Sequence, residues 1–396
     1  MQLSVFPRHG GQVLLQRRGD GSLHPIQETS SHPLKETLPR LIAERLGTEL
    51  EVTAIRTGTA PQAGDARPVL LDIDDRPDTI GDPGLEWVHA TDLLTGPSEL
   101  PTWEAYRTVG PTPEEVLDDL AHGSTTVSLH ALEALRDRAG ELTTSRESRE
   151  EPWRELTGIA RRLATARPEM TALQTRIDRA VSSASDPREL ESRCRAEIER
   201  ARRCDKQAAS HVVARCKNSR ILTISRSGTV LQALQSAEAG PVELLRSRPG
   251  DEAIEMAGAL VTHMPVRLSP DAALGHRLAT GSIDLVLVGA DTITPDGTVI
   301  NKVGTRTTAL AAAVHEIPFV VITATDKIAP EAPPTLETIE SADGVDPRLG
   351  IDTSCPRFDR TEFDLITEVV TENGSLSRDD IQDIADSHAT NRAWRM

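Results

Sequence analysis

Asp291 stands just beyond the apolar run Leu285–Val288, and Asn301 and Lys302 come shortly before an alanine-rich stretch, Thr307 to His315. A short β-branched run of this kind has the pattern of a strand buried on both faces of a parallel sheet. Ligands of open α/β sheets collect at the carboxyl ends of the strands, so a carboxylate there is placed to hold a ligand hydroxyl or to move a proton. A helix N-terminus beside a lysine suits an anion, because unpaired N–H groups and an ammonium face it together. Gly123-Ser124-Thr125 opens a second helix and offers amides and hydroxyls of the same use.

These residues need elements to hold them. After Lys217, apolar runs (Ile221–Ser225, Val242–Leu245, Val266–Leu268, Leu285–Val288, Phe319–Thr323) alternate with helical stretches at 229–237, 252–260, 271–279 and 307–314. That alternation predicts an α/β fold with a doubly wound, Rossmann-like parallel sheet over 217–396. It lacks GxGxxG, and no dinucleotide or other cofactor is expected. Over 115–216 apolar residues recur at three and four spacing, as in Leu156, Ile159 and Leu163, which predicts a helical subdomain. Residues Leu3 to Arg18 read as two strands around His9-Gly10-Gly11, followed by strands at Ala66–Asp74 and at the start of Leu85–Leu94. Residues 1–100 thus form an N-terminal domain, and the Pro/Gly-rich segment 101–114 reads as a linker docked by Trp103 and Tyr106.

Asp and Glu outnumber Lys and Arg by 61 to 44, a net charge of −17, which argues against general nucleic-acid binding or an anionic membrane surface. Lysine occurs only at 35, 206, 217, 302 and 327; with the acid excess this reads as a protein of a salt-rich, halophilic cytosol. Cys194, Cys204, Cys216 and Cys355 have no metal-binding spacing, so free thiols and no metal are expected. No apolar window reaches the length of a membrane span, and a cytoplasmic location is expected.

GAD (289–291), a turn, NK-x-GT (301–305) and the alanine-rich helix resemble the signature of the translation initiation factor 2B alpha/beta/delta family. That family includes methylthioribose 1-phosphate and ribose 1,5-bisphosphate isomerases. Ala164–Pro168, Ile221–Leu234, Arg246–Gly250 and Phe363–Gly374 repeat its other landmarks in order, from about Pro111 to the C-terminus. The resemblance implies a phosphorylated sugar or nucleotide as ligand. Ser227, Gly228 and Thr229 would hold a phosphate, with Gly123, Ser124, Thr125 and Arg167 reaching it or its twin. Asn301 and Lys302 would bind sugar oxygen and phosphate, Lys327 would match a family lysine, and Asp291 would handle the proton at the sugar hydroxyl. The isomerases carry an Arg where this chain has His122, which weakens a phosphate grip near neutral pH. They also carry a cysteine where this chain has Ser225, and a hydroxyl is a far poorer proton acceptor than a thiol.

The favoured expectation is therefore a regulatory member that binds a sugar phosphate or nucleotide without turnover; the alternative is an aldose–ketose isomerase converting ribose 1,5-bisphosphate or a related sugar phosphate to the ketose, using Asp291 with Ser225 or a water. The family resemblance further implies a homo-oligomer, a dimer or hexamer, with a translation factor as a possible partner. RHGG followed by VLLQRR, and the closing EWV, resemble the frame of a Nudix α/β/α sandwich. Its catalytic helix would be Leu34–Gly47, but Leu41 and Arg45 replace metal-binding carboxylates and Pro39 interrupts it, so a hydrolase is the least favoured reading.

Overall fold

The computed structural model describes residues 1–30, 33–47, 52–60, 65–73, 80, 82–95, 100–119, 122–144, 150–336, 338–340 and 347–396. It falls into two compact units. The first comprises Met1–Asp119, Leu129–Arg162 and Ser183–Glu199, and the second Leu120–Ser128, Leu163–Ser182 and Arg200–Met396.

The first unit is built on strands β1 (Gln2–His9), β2 (Gln12–Arg17), β3 (Leu23–His24), β4 (Ile26–Thr29), β5 (Val52–Thr57), β6 (Arg67–Ile73) and β7 (Leu85–His89). β1 is central, antiparallel to β2 and β4 and parallel to β6. Strand alternation sends Val5, Leu14, Val69 and Leu71 to one face, against Leu38, Ile42 and Leu46 of helix α1 (Leu34–Leu46). Phe6, Val13, Leu15 and Leu70 point the other way. There, past the short α2 (Asp92–Thr95), they meet Trp103, Ala105 and Tyr106 of α3 (Leu100–Arg107). The sheet is thus sandwiched between helices.

Residues 101–114, read from the sequence as a linker, hold most of α3 and the start of α4 (Pro113–Asp118). The Pro and Gly that suggested a break punctuate the helix instead: Pro101 sits in its first turn, and Gly110 follows its end, where a Cβ would lie 2.9 Å from the Tyr106 ring.

The expected helical stretch forms α5 (Ser124–Thr144), α6 (Glu150–Thr165), α7 (Thr171–Ser182) and α8 (Pro187–Cys216), whose residues are divided between the two units. Within the first unit a buried polar cluster replaces apolar packing. Arg136, fully buried, donates to Asp137 at 2.7 and 2.8 Å and to the Gly11 carbonyl in the β1–β2 turn. Tyr106 Oη donates to the other Asp137 oxygen at 3.0 Å. Arg8 donates to Asp72 at 2.5 Å and to Glu133 at 3.1 Å.

The second unit carries β8 (Ile221–Ile224), β9 (Val242–Leu245), β10 (Val266–Ser269), β11 (Leu285–Val288), β12 (Thr292–Ile293), β13 (Val299–Lys302) and β14 (Phe319–Ile322). It continues with β15 (Thr338–Glu340), β16 (Ser354–Pro356), β17 (Phe358–Thr361), β18 (Glu368–Thr371) and β19 (Gly374–Leu376). Its helices after α8 are α9 (Gly228–Ala237), α10 (Glu252–Leu260), α11 (Leu274–Ala279), α12 (Thr305–Val314) and α13 (Arg378–Asn391). The main sheet runs β10-β9-β8-β11-β14-β18-β19 and is parallel except at β19. Helices cover both faces: Leu244, Leu287 and Val320 pack with α8, α9 and α10, and Ile224, Val286 and Val321 with α11, α12 and α13. This is the doubly wound sheet expected from the sequence.

Strand order reverses between β8 and β11, the place where such sheets open a crevice at their carboxyl ends. One element was not expected. Asn301 and Lys302, expected only to precede the alanine-rich helix, lie on β13, which pairs with β12 and with β17, so a small antiparallel sheet fixes their backbone. Among the described residues no helix is long and apolar enough to cross a membrane.

Replacing Arg136 by Met should cost roughly 3–5 kcal/mol, because Asp137 is left buried with only the more distant Arg107, 3.8 Å away, as counter-charge. Tyr106→Phe should cost only about 1–2 kcal/mol. Urea unfolding followed by tryptophan fluorescence measures both; equal losses would mean that Asp137 does not depend on Arg136.

Candidate functional site

Six segments of the second unit converge at the switch point. β8 delivers Ser225, whose backbone is left-handed at φ 65°, and Ser227, which caps α9 by accepting from the Val230 N–H. Ser225 is held by Ser247, whose Oγ accepts the Ser225 N–H at 2.6 Å and donates to the Leu245 carbonyl at 2.9 Å. β11 delivers Gly289 and Asp291. Gly289 is required as glycine, since a Cβ there would lie 2.5 Å from Ser227 Oγ.

β13 delivers Asn301 and Lys302, both buried. Asn301 donates its amide to Thr305 Oγ1 at 3.0 Å, and Lys302 Nζ donates to Glu252 Oε1 at 2.5 Å and to the Pro249 carbonyl at 3.2 Å. The turn after β14 delivers Lys327, whose buried Nζ donates to the Ala290 carbonyl at 2.7 Å, next to Asp291. The first turn of α5 adds Gly123, Ser124 and Thr125.

These segments enclose a cavity of about 560 Å³. It brings together Gly123, Ser124, Thr125, Ser225, Ser227 and Gly228 with Asp291, Asn301, Lys302 and Lys327. Two of the singled-out residues lie off its lining. Thr229 is buried and donates to Asp205 Oδ1 at 3.3 Å, and Arg167 is buried, neither on the lining nor a surface cap. At both helix N-termini the glycines, Gly123 and Gly228, face open space.

Burial pushes the Lys327 ammonium below its usual value, against the opposing pull of Asp291 and Asp205. The residue before it is the electrostatic centre of the site's floor. Asp326, fully buried, accepts from Arg176 Nε at 2.9 Å, Arg179 at 2.7 Å and Arg200 at 2.5 Å, and its carbonyl accepts from Thr175. Burial alone would raise the Asp326 carboxyl, but the three guanidiniums hold it far below the usual carboxylate range. Arg176 also donates to Ser128 Oγ at 2.8 Å, one turn along α5 from Ser124. One buried ion cluster therefore positions both Lys327 and the first turn of α5.

Sequence reasoning missed this cluster, because its members are spread from 176 to 326 with no motif among them. It also missed Glu252, which follows the noted Arg246–Gly250 segment by two residues and occupies the Lys302 ammonium.

Residues 120–378 match the model of the initiation factor 2 subunit family, about two thirds of the chain. The chain belongs to this family. Among curated family relatives, a probable bifunctional methylthioribose-1-phosphate isomerase/methylthioribulose-1-phosphate dehydratase of Nocardia farcinica is 37% identical over 182 residues. That match covers 41% of this chain and 32% of the relative. A methylthioribose-1-phosphate isomerase of Nostoc punctiforme is 32% identical over 40% of this chain and 50% of its own length. The chain thus spans between a third and a half of the length of these relatives. Among solved structures, the translation initiation factor eIF-2B of Pyrococcus horikoshii aligns with TM-score 0.59 and 24% identity, covering 67% of this chain and 94% of that one. The 5-methylthioribose 1-phosphate isomerase of the same organism aligns at 0.53 and 17%, covering 77% and 89%. These two likenesses establish the family's α/β fold.

Replacing Asp326 by Asn should cost roughly 3–5 kcal/mol near neutral pH, since three guanidiniums lose their counter-charge. The folded carboxyl titrates below its unfolded value, so its contribution is present above about pH 4 and is lost as pH falls. Denaturation midpoints of the Asn variant should accordingly vary less with acidification than those of the parent; parallel curves would show that Asp326 is not the titrating group.

Proposed function

We propose that the cavity binds a phosphorylated sugar, or the sugar-phosphate part of a nucleotide, and that the chain is a regulatory member of its family without thiol-dependent turnover. The phosphate would sit where the N-termini of α9 and α5 meet, at Ser227, Gly228, Gly123 and Ser124. Asp291, Asn301 and Lys327 would meet the sugar oxygens. Coupled self-association and a translation-factor partner belong to the same reading.

The observation that carries it is Ser225. Moving a proton between adjacent sugar carbons needs a second group opposite Asp291, and the side chain that the first strand presents is a hydroxyl. None of the chain's four cysteines lines the cavity. Cys204 and Cys216 are buried, and burial pushes their thiols up to about 12 and about 11, which makes them poor bases.

One observation favours an isomerase instead. The Lys327 ammonium beside Asp291 is placed to stabilise a negatively charged sugar oxygen, a feature that binding alone does not need. The N-terminal sandwich is proposed as a Nudix-like frame without hydrolase activity. Leu41 and Arg45 of its α1 stand where metal-binding carboxylates would be needed, and the Arg45 guanidinium pairs with Glu28 at 2.9 Å.

Phosphorus NMR of the full chain with ribose 1-phosphate and ribose 1,5-bisphosphate tests the proposal. The regulatory reading predicts broadened lines with unchanged shifts over hours; new ketose phosphate resonances would establish the isomerase. Ser225→Cys should gain turnover if the proton-transfer geometry persists. Asp291→Asn should weaken sugar binding roughly tenfold, the scale of a lost hydrogen bond to a charged group; an unchanged affinity would remove Asp291 from the site.

A further inference from the structure

Lys302 resembles a phosphate-binding lysine in sequence, but its ammonium is already committed. It is 96% buried by its neighbours (4% exposed), with Nζ 2.5 Å from Glu252 Oε1 and 3.2 Å from the Pro249 carbonyl. The backbone before Glu252 leaves room for its carboxylate there. Glu252 is the first residue of α10, and Gly250 before it has φ 121°, where a Cβ would come within 2.7 and 2.8 Å of the two carboxylate oxygens. A glycine there leaves the carboxylate room to lie against Lys302. The second carboxylate oxygen is buried with no hydrogen-bond partner, and Glu252 is part of the cavity wall.

The rest of the lining follows the same pattern. Arg226 lies 3.6 Å from Glu255, and Lys327 is drawn toward Asp291. Among the described lining residues four basic side chains face four acidic ones, histidine aside. A second phosphate would need a surplus of cations or amides, and where the N-terminus of α10 lines the cavity the carboxylates of Asp251, Glu252 and Glu255 offset its backbone amides.

We propose that Glu252 is a specificity-determining residue that limits this cavity to ligands bearing a single phosphate. The phosphate takes the α9 and α5 end. At the β13 end the Lys302–Glu252 pair, donor beside acceptor, with the neighbouring Asn301 amide, takes a pair of free hydroxyls. A second phosphate there would have to displace Glu252 or meet its charge in a partly desolvated site. The ligand class is therefore a pentose or nucleoside monophosphate with a free diol, and bisphosphates are disfavoured. This inference rests on the sugar-phosphate reading of the cavity.

Calorimetric titration of the full chain with ribose 1-phosphate and with ribose 1,5-bisphosphate, in concentrated KCl, measures the ratio directly. The monophosphate should bind roughly tenfold or more tightly than the bisphosphate. Glu252→Gln, which keeps the side-chain shape and frees the Lys302 charge, should narrow or invert that ratio chiefly by tightening the bisphosphate. Equal or tighter bisphosphate binding by the parent chain overturns the proposal, as does a ratio that Glu252→Gln leaves unchanged. If the variant fails to fold, the parent ratio alone decides. Binding of neither compound is a distinct outcome: it overturns the sugar-phosphate reading itself, and the specificity claim with it.

Discussion

A single buried carboxylate gathers three guanidiniums beneath the cavity, and the placement of the site's parts follows from it. Asp326 is out of reach of water, so its charge persists only because Arg176, Arg179 and Arg200 hold it. Those arginines belong to α7 and α8, while Asp326 belongs to the turn after β14. The cluster thus draws two helices onto the carboxyl edge of the sheet. It leaves Lys327 little freedom in where its ammonium goes, and through Ser128 it fixes the turn that begins α5. Apolar packing could hold the same elements together, but it would not set the direction of a hydrogen bond.

The alternation of apolar runs and helices after Lys217 made the doubly wound sheet legible, because strands buried on both faces leave uninterrupted β-branched runs such as Leu285–Val288. Residues at the ends of those strands were legible for the same reason, and Ser225, Asp291 and Lys327 all reach the cavity. β13 was not legible. It is four residues long; one partner, β17, lies more than fifty residues later, and the other, β12, is only two residues, too short for a strand pattern to mark the hairpin around Pro295-Asp296-Gly297. The helix α3 was hidden by its own punctuation, Pro101 and Gly110, which mark the ends of an element as readily as the absence of one.

Arg167 and Thr229 show the limit of transferring roles by motif. Both have the residue type and spacing of phosphate ligands, yet Thr229 turns its hydroxyl to Asp205 and Arg167 lies within the protein interior away from the lining. A motif specifies where the backbone goes; whether a side chain faces the cavity depends on what competes for its hydrogen bonds. Lys302 is the clearest case, since its position is as expected and its charge is taken by a residue outside the motif.

Lysine scarcity has a different consequence for the chain's reactivity. Of five lysines, Lys302 and Lys327 are buried around the cavity, whereas Lys35, Lys206 and Lys217 are exposed. Lysine amines on the described surface are therefore few. Among lysine side chains, acylating reagents and amine cross-linkers will find almost nothing to react with except those three. The two amines at the cavity are shielded by the very contacts that orient them.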